Sequence, residues 1–137
     1  MNRNRLIASL LINNGNVVQT RQFKRTNMVG SAFTAVDFFN SWSVDEIMVL
    51  EISYSESFAE RFLDIVWNLS RRCFVPLTVG GKISCIDQVR AFTRAGADKV
   101  VINSAAVRNP ALLDEVVSRF GSQCLVVSMD ARRNQEM

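Results

Sequence analysis

The segment from Pro76 to Pro110, PLTVGGKISCIDQVRAFTRAGADKVVINSAAVRNP, constrains the fold of this chain more than any other. A short apolar run, Val75–Val79, enters a Gly80-Gly81 turn. An amphipathic stretch of helical period follows, then a second apolar run, Lys99–Ile102, closed by Asn103 and Ser104. Strand, helix and strand in this order form a βαβ unit, whose strands pair in parallel through a right-handed crossover. Folds of this kind bind ligands at the C-terminal ends of their strands, where this segment carries its glycines and small polar residues.

The same alternation runs along the rest of the chain. Arg5–Leu11 reads as an apolar strand, and Asn13-Asn14-Gly15-Asn16 is a tight-turn signal leading into Val17-Val18, so the chain opens on a β-hairpin. Thr20–Gly30 has no periodicity and carries Arg21, Lys24 and Arg25, which predicts a mobile basic loop. Ser31 caps a helix running to about Asn40, with an apolar face of Phe33, Val36, Phe38 and Phe39. Glu46–Ile52 is a continuous apolar strand, and Ser55–Arg72 a helix with Phe58, Phe62, Ile65, Val66 and Leu69 on one stripe. Beyond the central unit come a helix over Pro110–Phe120, stopped by Gly121, and a fifth strand over Cys124–Met129 that ends at Asp130.

Strands alternating with helices predict an α/β fold with a parallel sheet wrapped by helices. A doubly wound open sheet, a complete (β/α)8 barrel and a piece of such a barrel all satisfy the pattern. A complete barrel takes about 250 residues, so 137 residues supply a half-barrel of about (βα)4 plus a fifth strand. We expect residues 1–137 to form one domain, the N-terminal half of a barrel truncated after its fifth strand. The last residues, ARRNQEM, bring no helix to cover that strand, and an exposed apolar edge invites association. Pairing is expected, either as a homodimer or with a missing C-terminal half.

Composition excludes several function classes. With 48% hydrophobic and 21% charged residues the chain has the balance of a soluble globular protein. No apolar run approaches the roughly 20 residues of a membrane span. The opening MNRNRLIASLLINNG puts basic residues before an apolar run. That run is only Leu6–Ile12, is interrupted by Ser9, and precedes no small-residue cleavage pattern, so it reads as a strand and not a signal peptide. There is no histidine, which removes Ser-His and Cys-His nucleophile pairs and the commonest zinc ligand. Cys73, Cys85 and Cys124 are far apart and in no ligand spacing, so reduced thiols in a cytoplasmic protein without metal or cofactor are expected. The net charge of +3 is dispersed, unlike the clustered basic face of a nucleic-acid binder.

Candidate functional residues stand just past the C-terminal strand ends: Leu11, Glu51, Gly80-Gly81-Lys82, Asn103-Ser104 and Asp130. In a barrel they converge on one mouth. The Gly80-Gly81 turn lets backbone N–H groups approach an anion, and Asn103-Ser104 precede a helix whose first N–H groups do the same. These two loops could share a phosphate, or the glycines could simply make a tight turn and Ser104 simply cap a helix. Asp130 is a candidate general acid or base, or else a solvated capping residue. At the opposite strand ends stand Arg5, Asp45-Glu46 and Asp98-Lys99. They read as surface ion pairs worth less than about 1 kcal/mol each, or as a ring bordering a central opening.

The segments RLIASLLINNGNVV, VDEIMVLEI, PLTVGGKI, GADKVVINSAAVRNP and FGSQCLVVSMDARR together closely resemble the cyclase subunit of imidazole glycerol phosphate synthase. The resemblance covers nearly the whole chain. It implies a (β/α)8 barrel that takes ammonia from a glutaminase partner at its N-terminal face and passes it through the barrel. At the opposite mouth the ammonia meets a bis-phosphorylated ribonucleotide, giving imidazole glycerol phosphate and an aminoimidazole carboxamide ribotide. Position by position, the resemblance implies that Asp130 is the second catalytic aspartate and that Gly81, Asn103 and Ser104 form part of a phosphate site, beside Gly80. It further implies an ammonia gate of Arg5, Glu46, Thr78 and Lys99, with Asp98 near the glutaminase interface.

The departures lie at the C-terminal strand ends. Leu11 stands where the family has its first catalytic aspartate, Gln19 replaces a lysine, Glu51 an aspartate, and Lys82 the third glycine of the phosphate loop. The gate residues are all kept. The pattern LL-x-x-N-G followed by Thr20-Arg21-Gln22-Phe23-Lys24 is more similar to a paralogous branch that supplies ammonia for the amidation of bacterial surface-polysaccharide sugars. The leading expectation is therefore the ammonia-receiving subunit of a glutamine amidotransferase serving such a sugar. The alternatives are the cyclase of histidine biosynthesis and a non-catalytic half-barrel that binds phosphate or dimerises.

Overall fold

The structure is a computed structural model that describes residues 3–53 and 59–133. Its elements are β1 (Ile7–Asn13), β2 (Asn16–Arg21), β3 (Lys24–Ser31), α1 (Ala32–Ser41), β4 (Glu46–Glu51), α2 (Ala59–Ser70), β5 (Leu77–Gly80), α3 (Ile86–Arg94), β6 (Lys99–Ile102), α4 (Ser104–Arg108), α5 (Ala111–Phe120) and β7 (Leu125–Val127). The seven strands form one sheet in the order β3-β2-β1-β4-β5-β6-β7. From β1 through β4, β5, β6 and β7 every pairing is parallel; β1–β2 and β2–β3 are antiparallel.

The face that the helices cover decides among the three architectures. Side chains alternate across a strand. Leu10 and Ile12 of β1, Ile47 and Val49 of β4, Leu77 and Val79 of β5, and Val100 and Ile102 of β6 all enter one buried cluster. There they meet Val36 of α1, Phe62, Val66 and Leu69 of α2, Val89 and Phe92 of α3, and Leu112 and Val116 of α5. The intervening residues lie on the other face, in rungs set by register: Ser9, Met48, Thr78 and Lys99, then Leu11, Leu50, Gly80, Val101 and Val126. None of these joins the helix-packed cluster. A doubly wound sheet carries helices on both faces. Helices on one face only, around consecutive parallel strands, make part of a β/α barrel, with the second face as its lumen.

Local signals account for the boundaries. Ser31 accepts a hydrogen bond from the Phe33 N–H at 3.2 Å and so starts α1. Gly121, at φ +89°, ends α5. The strand expected over Val75–Val79 shifts to Leu77–Gly80 because Pro76 has no N–H for the ladder; its carbonyl still accepts from the Ile47 N–H at 3.1 Å. The last strand is shorter than Cys124–Met129, since Ser122–Cys124 form a 3-10 turn. The expected helix start at Ser55, with Phe58, lies outside the described residues.

One expectation is corrected. Thr20–Gly30 is not a loop but most of a hairpin, β2–β3, paired from Asn16↔Ser31 to Arg21↔Lys24. Its tip, Gln22-Phe23, has φ +52° and +62°. Those angles fit the two-residue turn that matches strand twist, which ordinarily uses Asn and Gly. The Asn14-Gly15 turn between β1 and β2 has that chemistry and was legible; Gln22-Phe23 does not. Among the described residues no helix is long and apolar enough to cross a membrane.

Candidate functional site

The ion cluster at the N-terminal strand ends is built around Glu46, the first residue of β4, which is only 3% exposed. Its Oε1 lies 2.6 Å from Arg5 Nη1, and Lys99 Nζ donates to its Oε2 at 2.9 Å. Lys99 opens β6, two strands away, so the pair reaches across the lumen side of β5. There Thr78 is buried in the same rung as Lys99. A carboxylate taken out of water needs compensating charge and hydrogen bonds; Glu46 has a cation beside each oxygen, while among the described residues only Oε2 accepts a hydrogen bond. Arg5 is mostly exposed, so solvent screens its share. The two cations thus flank one carboxylate at the N-terminal strand ends.

Asp98 has a structural task here. Its Oδ2 accepts from the Leu77 N–H at 2.8 Å, while its own N–H donates to the Leu77 carbonyl at 2.8 Å. Asp45 makes the same clasp on Leu6, with distances of 2.7 and 2.9 Å. The side chain of Asp98 remains at the exposed rim.

At the C-terminal strand ends a cleft of about 540 Å³ is lined by Glu51, Gly81, Lys82, Ser84, Asn103, Ser104, Arg108 and Ser128, among others. Of the expected mouth residues, Glu51, Gly81, Lys82, Asn103 and Ser104 come together here. Gly80 does not; it sits one rung inside, where a Cβ would come within 2.7 Å of both Leu50 Cδ2 and Val101 Cβ. Gly81, at φ +121°, passes so close to the Glu51 backbone that a Cβ would stand 2.8 Å from Glu51 Cβ and 2.9 Å from its N. Each glycine thus has a packing reason of its own, and Gly81 also opens the mouth.

Asp130, beyond β7, is exposed and joins the cleft through Asn103, whose Nδ2 donates to Asp130 Oδ2 at 2.8 Å. Glu51 is buried and its Oε1 accepts from the Ser53 N–H at 2.7 Å. Ser53 Oγ is buried without a hydrogen-bond partner among the described residues. Leu11 lies in the lumen rung of Leu50 and offers no exchangeable proton where it faces the interior. Among the described residues no group of three or more Cys, Asp or Glu is gathered to hold a metal.

Sequence reasoning missed Arg108, Asn109, Ser84 and Ser128 in the cleft. Arg108 had a signal: it follows Ser104 by one helical turn, and i, i+4 residues share a face. The structural thiols lie elsewhere. Burial pushes the Cys73 thiol up, opposed by a hydrogen bond with the Val75 backbone, and burial also pushes up Cys124, opposed by hydrogen bonds with Thr93 and the Val100 backbone.

Consecutive parallel strands with helices on one face, a polar cleft at one end and a buried ion cluster at the other define a protein of the β/α-barrel class. The chain matches the family described as "Histidine biosynthesis protein" over residues 5–137, and it belongs to that family. It is 45% identical over 127 residues to a Vibrio vulnificus protein named as imidazole glycerol phosphate synthase subunit hisF2, covering 93% of this chain and 47% of the relative. It is 39% identical over 132 residues to the HisF subunit of imidazole glycerol phosphate synthase from Microcystis aeruginosa, covering 96% and 52%. For the subunit from Staphylococcus carnosus the identity is 38% over 136 residues, covering 99% and 54%. The chain spans about half the length of the curated relatives it matches.

Proposed function

We propose that this chain is the N-terminal half of the ammonia-using cyclase-type subunit of an imidazole glycerol phosphate synthase. Residues 1–137 then act as a single domain whose lumen is closed by a C-terminal half-barrel or by a second copy. Ammonia from a glutaminase subunit docked at the N-terminal face, near Asp98, enters past Arg5, Glu46, Thr78 and Lys99. A phosphorylated ribonucleotide lies in the opposite cleft, its phosphate against Gly81, Asn103 and Ser104, with Asp130 as the acid or base. The observation that carries this reading is the Glu46 cluster: a carboxylate 3% exposed, bridging Arg5 and Lys99 across the lumen entrance. Surface pairing alone gives no reason to bury that charge. The names of the relatives support the cyclase of histidine biosynthesis over the surface-sugar branch.

One observation favours the second reading, in which ammonia passes to a different acceptor such as a surface-polysaccharide sugar. Leu11 faces the lumen without a titratable group, and acid–base catalysis contributes about 10²–10⁴-fold in rate. The test is ammonia-dependent formation of imidazole glycerol phosphate by this chain combined with a C-terminal half-barrel, wild type beside Leu11→Asp. Turnover in the wild type, raised about 100-fold or more by Leu11→Asp, is the expected result. Inactivity of both forms, with intact phosphate binding, would sink the cyclase reading and leave the ammonia relay or a binding half-barrel.

A further inference from the structure

The cleft at the C-terminal strand ends carries more positive charge than one phosphate requires. Lys82, from the turn after β5, and Arg108, from the last turn of α4, both line it. Neither has an ion-pair or side-chain hydrogen-bond partner among the described residues, whereas Arg5, Arg72, Arg90, Lys99 and Arg119 are each paired with a carboxylate. The cleft's one lining carboxylate, Glu51, is buried and held by the Ser53 N–H, and makes no ion pair with either cation. Lys82 also holds φ +56°, a left-handed conformation that is strained for a residue with a side chain. Glycine would fit that backbone more easily, but it would bring no charge to the mouth.

We propose that Lys82 and Arg108 make this cleft selective for a ligand end bearing two linked phosphates over one bearing a single phosphate. The inference rests on the reading of the cleft as a phosphate site. A single phosphate seated against Gly81, Asn103 and Ser104 uses the uncharged donors of the cleft. Two free cations on separate elements match the additional charge of a second phosphoryl group. Lys supplies a point charge and Arg a fork of donors suited to phosphate oxygens.

The test titrates inorganic phosphate and inorganic pyrophosphate calorimetrically into the 137-residue protein at low salt without divalent cations. Lys82→Gln, Arg108→Gln and the control Arg94→Gln are compared with wild type. Arg94 is the last residue of α3, at the opposite end of that helix from the turn that carries Lys82, and does not line the cleft. Far-UV circular dichroism and urea midpoints check that each variant is folded. We expect pyrophosphate to bind at least about tenfold tighter than phosphate. Lys82→Gln and Arg108→Gln should each weaken pyrophosphate about 3–10-fold, and phosphate less than about twofold, with the preference shrinking at high salt. Arg94→Gln should change neither. Equal wild-type affinities, parallel losses for both anions, or an equal effect of Arg94→Gln would each overturn the inference. Phosphate binding without the preference overturns it and leaves the phosphate-site reading intact; binding of neither anion overturns both.

Discussion

Replacing Gly81 by alanine should unfold the mouth of the fold more effectively than its small size suggests. The new methyl would stand 2.8 Å from Glu51 Cβ and 2.9 Å from Glu51 N, and closer still to the Glu51 carbonyl oxygen. Backbone cannot swing aside as a flexible side chain does, and overpacking of this kind costs about 1–3 kcal/mol. The φ of +121° adds strain for any L side chain, about 1–3 kcal/mol more. Together these make about 4 kcal/mol, a large part of the roughly 5–15 kcal/mol that holds a domain folded. With an unfolding entropy of about 2.1 cal/mol/K per residue, the midpoint should fall on the order of 10–15 °C. The neighbouring Lys82→Gly is the internal contrast. It relieves left-handed strain at φ +56° but raises the entropy of the unfolded chain, so it should stay within about 1 kcal/mol of wild type. Calorimetry and urea unfolding followed by Trp42 and Trp67 fluorescence read both variants. A Gly81→Ala protein melting within about 3 °C of wild type would show that the β4–β5 mouth yields, and that the close-approach argument is wrong.

Three further outcomes are expected. Phe62→Ala removes a ring 2% exposed that packs edge-on to Phe92 at 5.6 Å; it should cost about 3–5 kcal/mol in urea unfolding, and a loss below 1 kcal/mol would contradict the assigned core. Asp98→Ala strips the acceptor from the Leu77 N–H and should cost about 1–3 kcal/mol, whereas Asp98→Asn, which keeps a carbonyl oxygen, should cost less. Ellman's reagent at pH 8 should label exposed Cys85 first. Cys73 and Cys124, raised above their ordinary value of 9.0, stay protonated and slow, and equal rates for all three thiols would refute this. Because unfolded thiols ionise first, those two groups contribute stability below about pH 9 that is lost as pH rises further.

Much of the fold was legible because its strands are apolar runs with clear stops. The run Lys99–Ile102 became β6 without change, and Ser31 started α1 as its capping chemistry implies. The β2–β3 hairpin was hidden because its ladder is made by backbone groups and its turn residues, Gln22 and Phe23, carry no turn signature. Helix α4 has five residues, too few for a period to show. At the site, charge type and strand ends led to Arg5, Glu46 and Lys99. Sequence could not divide the labour of the two glycines, because only the packing of Leu50, Val101 and Glu51 separates the inner one from the one at the mouth. Nor could it show that Asp98 is spent on the Leu77 backbone, since that partner is a main-chain group with no residue signature.

The paired clasps of Asp45 on Leu6 and of Asp98 on Leu77 bear on how the chain finds its alignment. A slip of one residue between neighbouring strands would exchange the two faces of the sheet, sending Thr78 and Lys99 into the helix-packed core and Val79 and Val100 into the lumen. Each aspartate meets a main-chain amide and carbonyl together only in the correct alignment, so it acts as a registration pin at the strand start. The pins join β1 to β4 and β5 to β6; the intervening β4–β5 seam relies on the Pro76 carbonyl, with no carboxylate. The chain is therefore two pinned strand pairs meeting at an unpinned seam. Gly81 lies at the far end of that seam, where the two pairs close most tightly on one another.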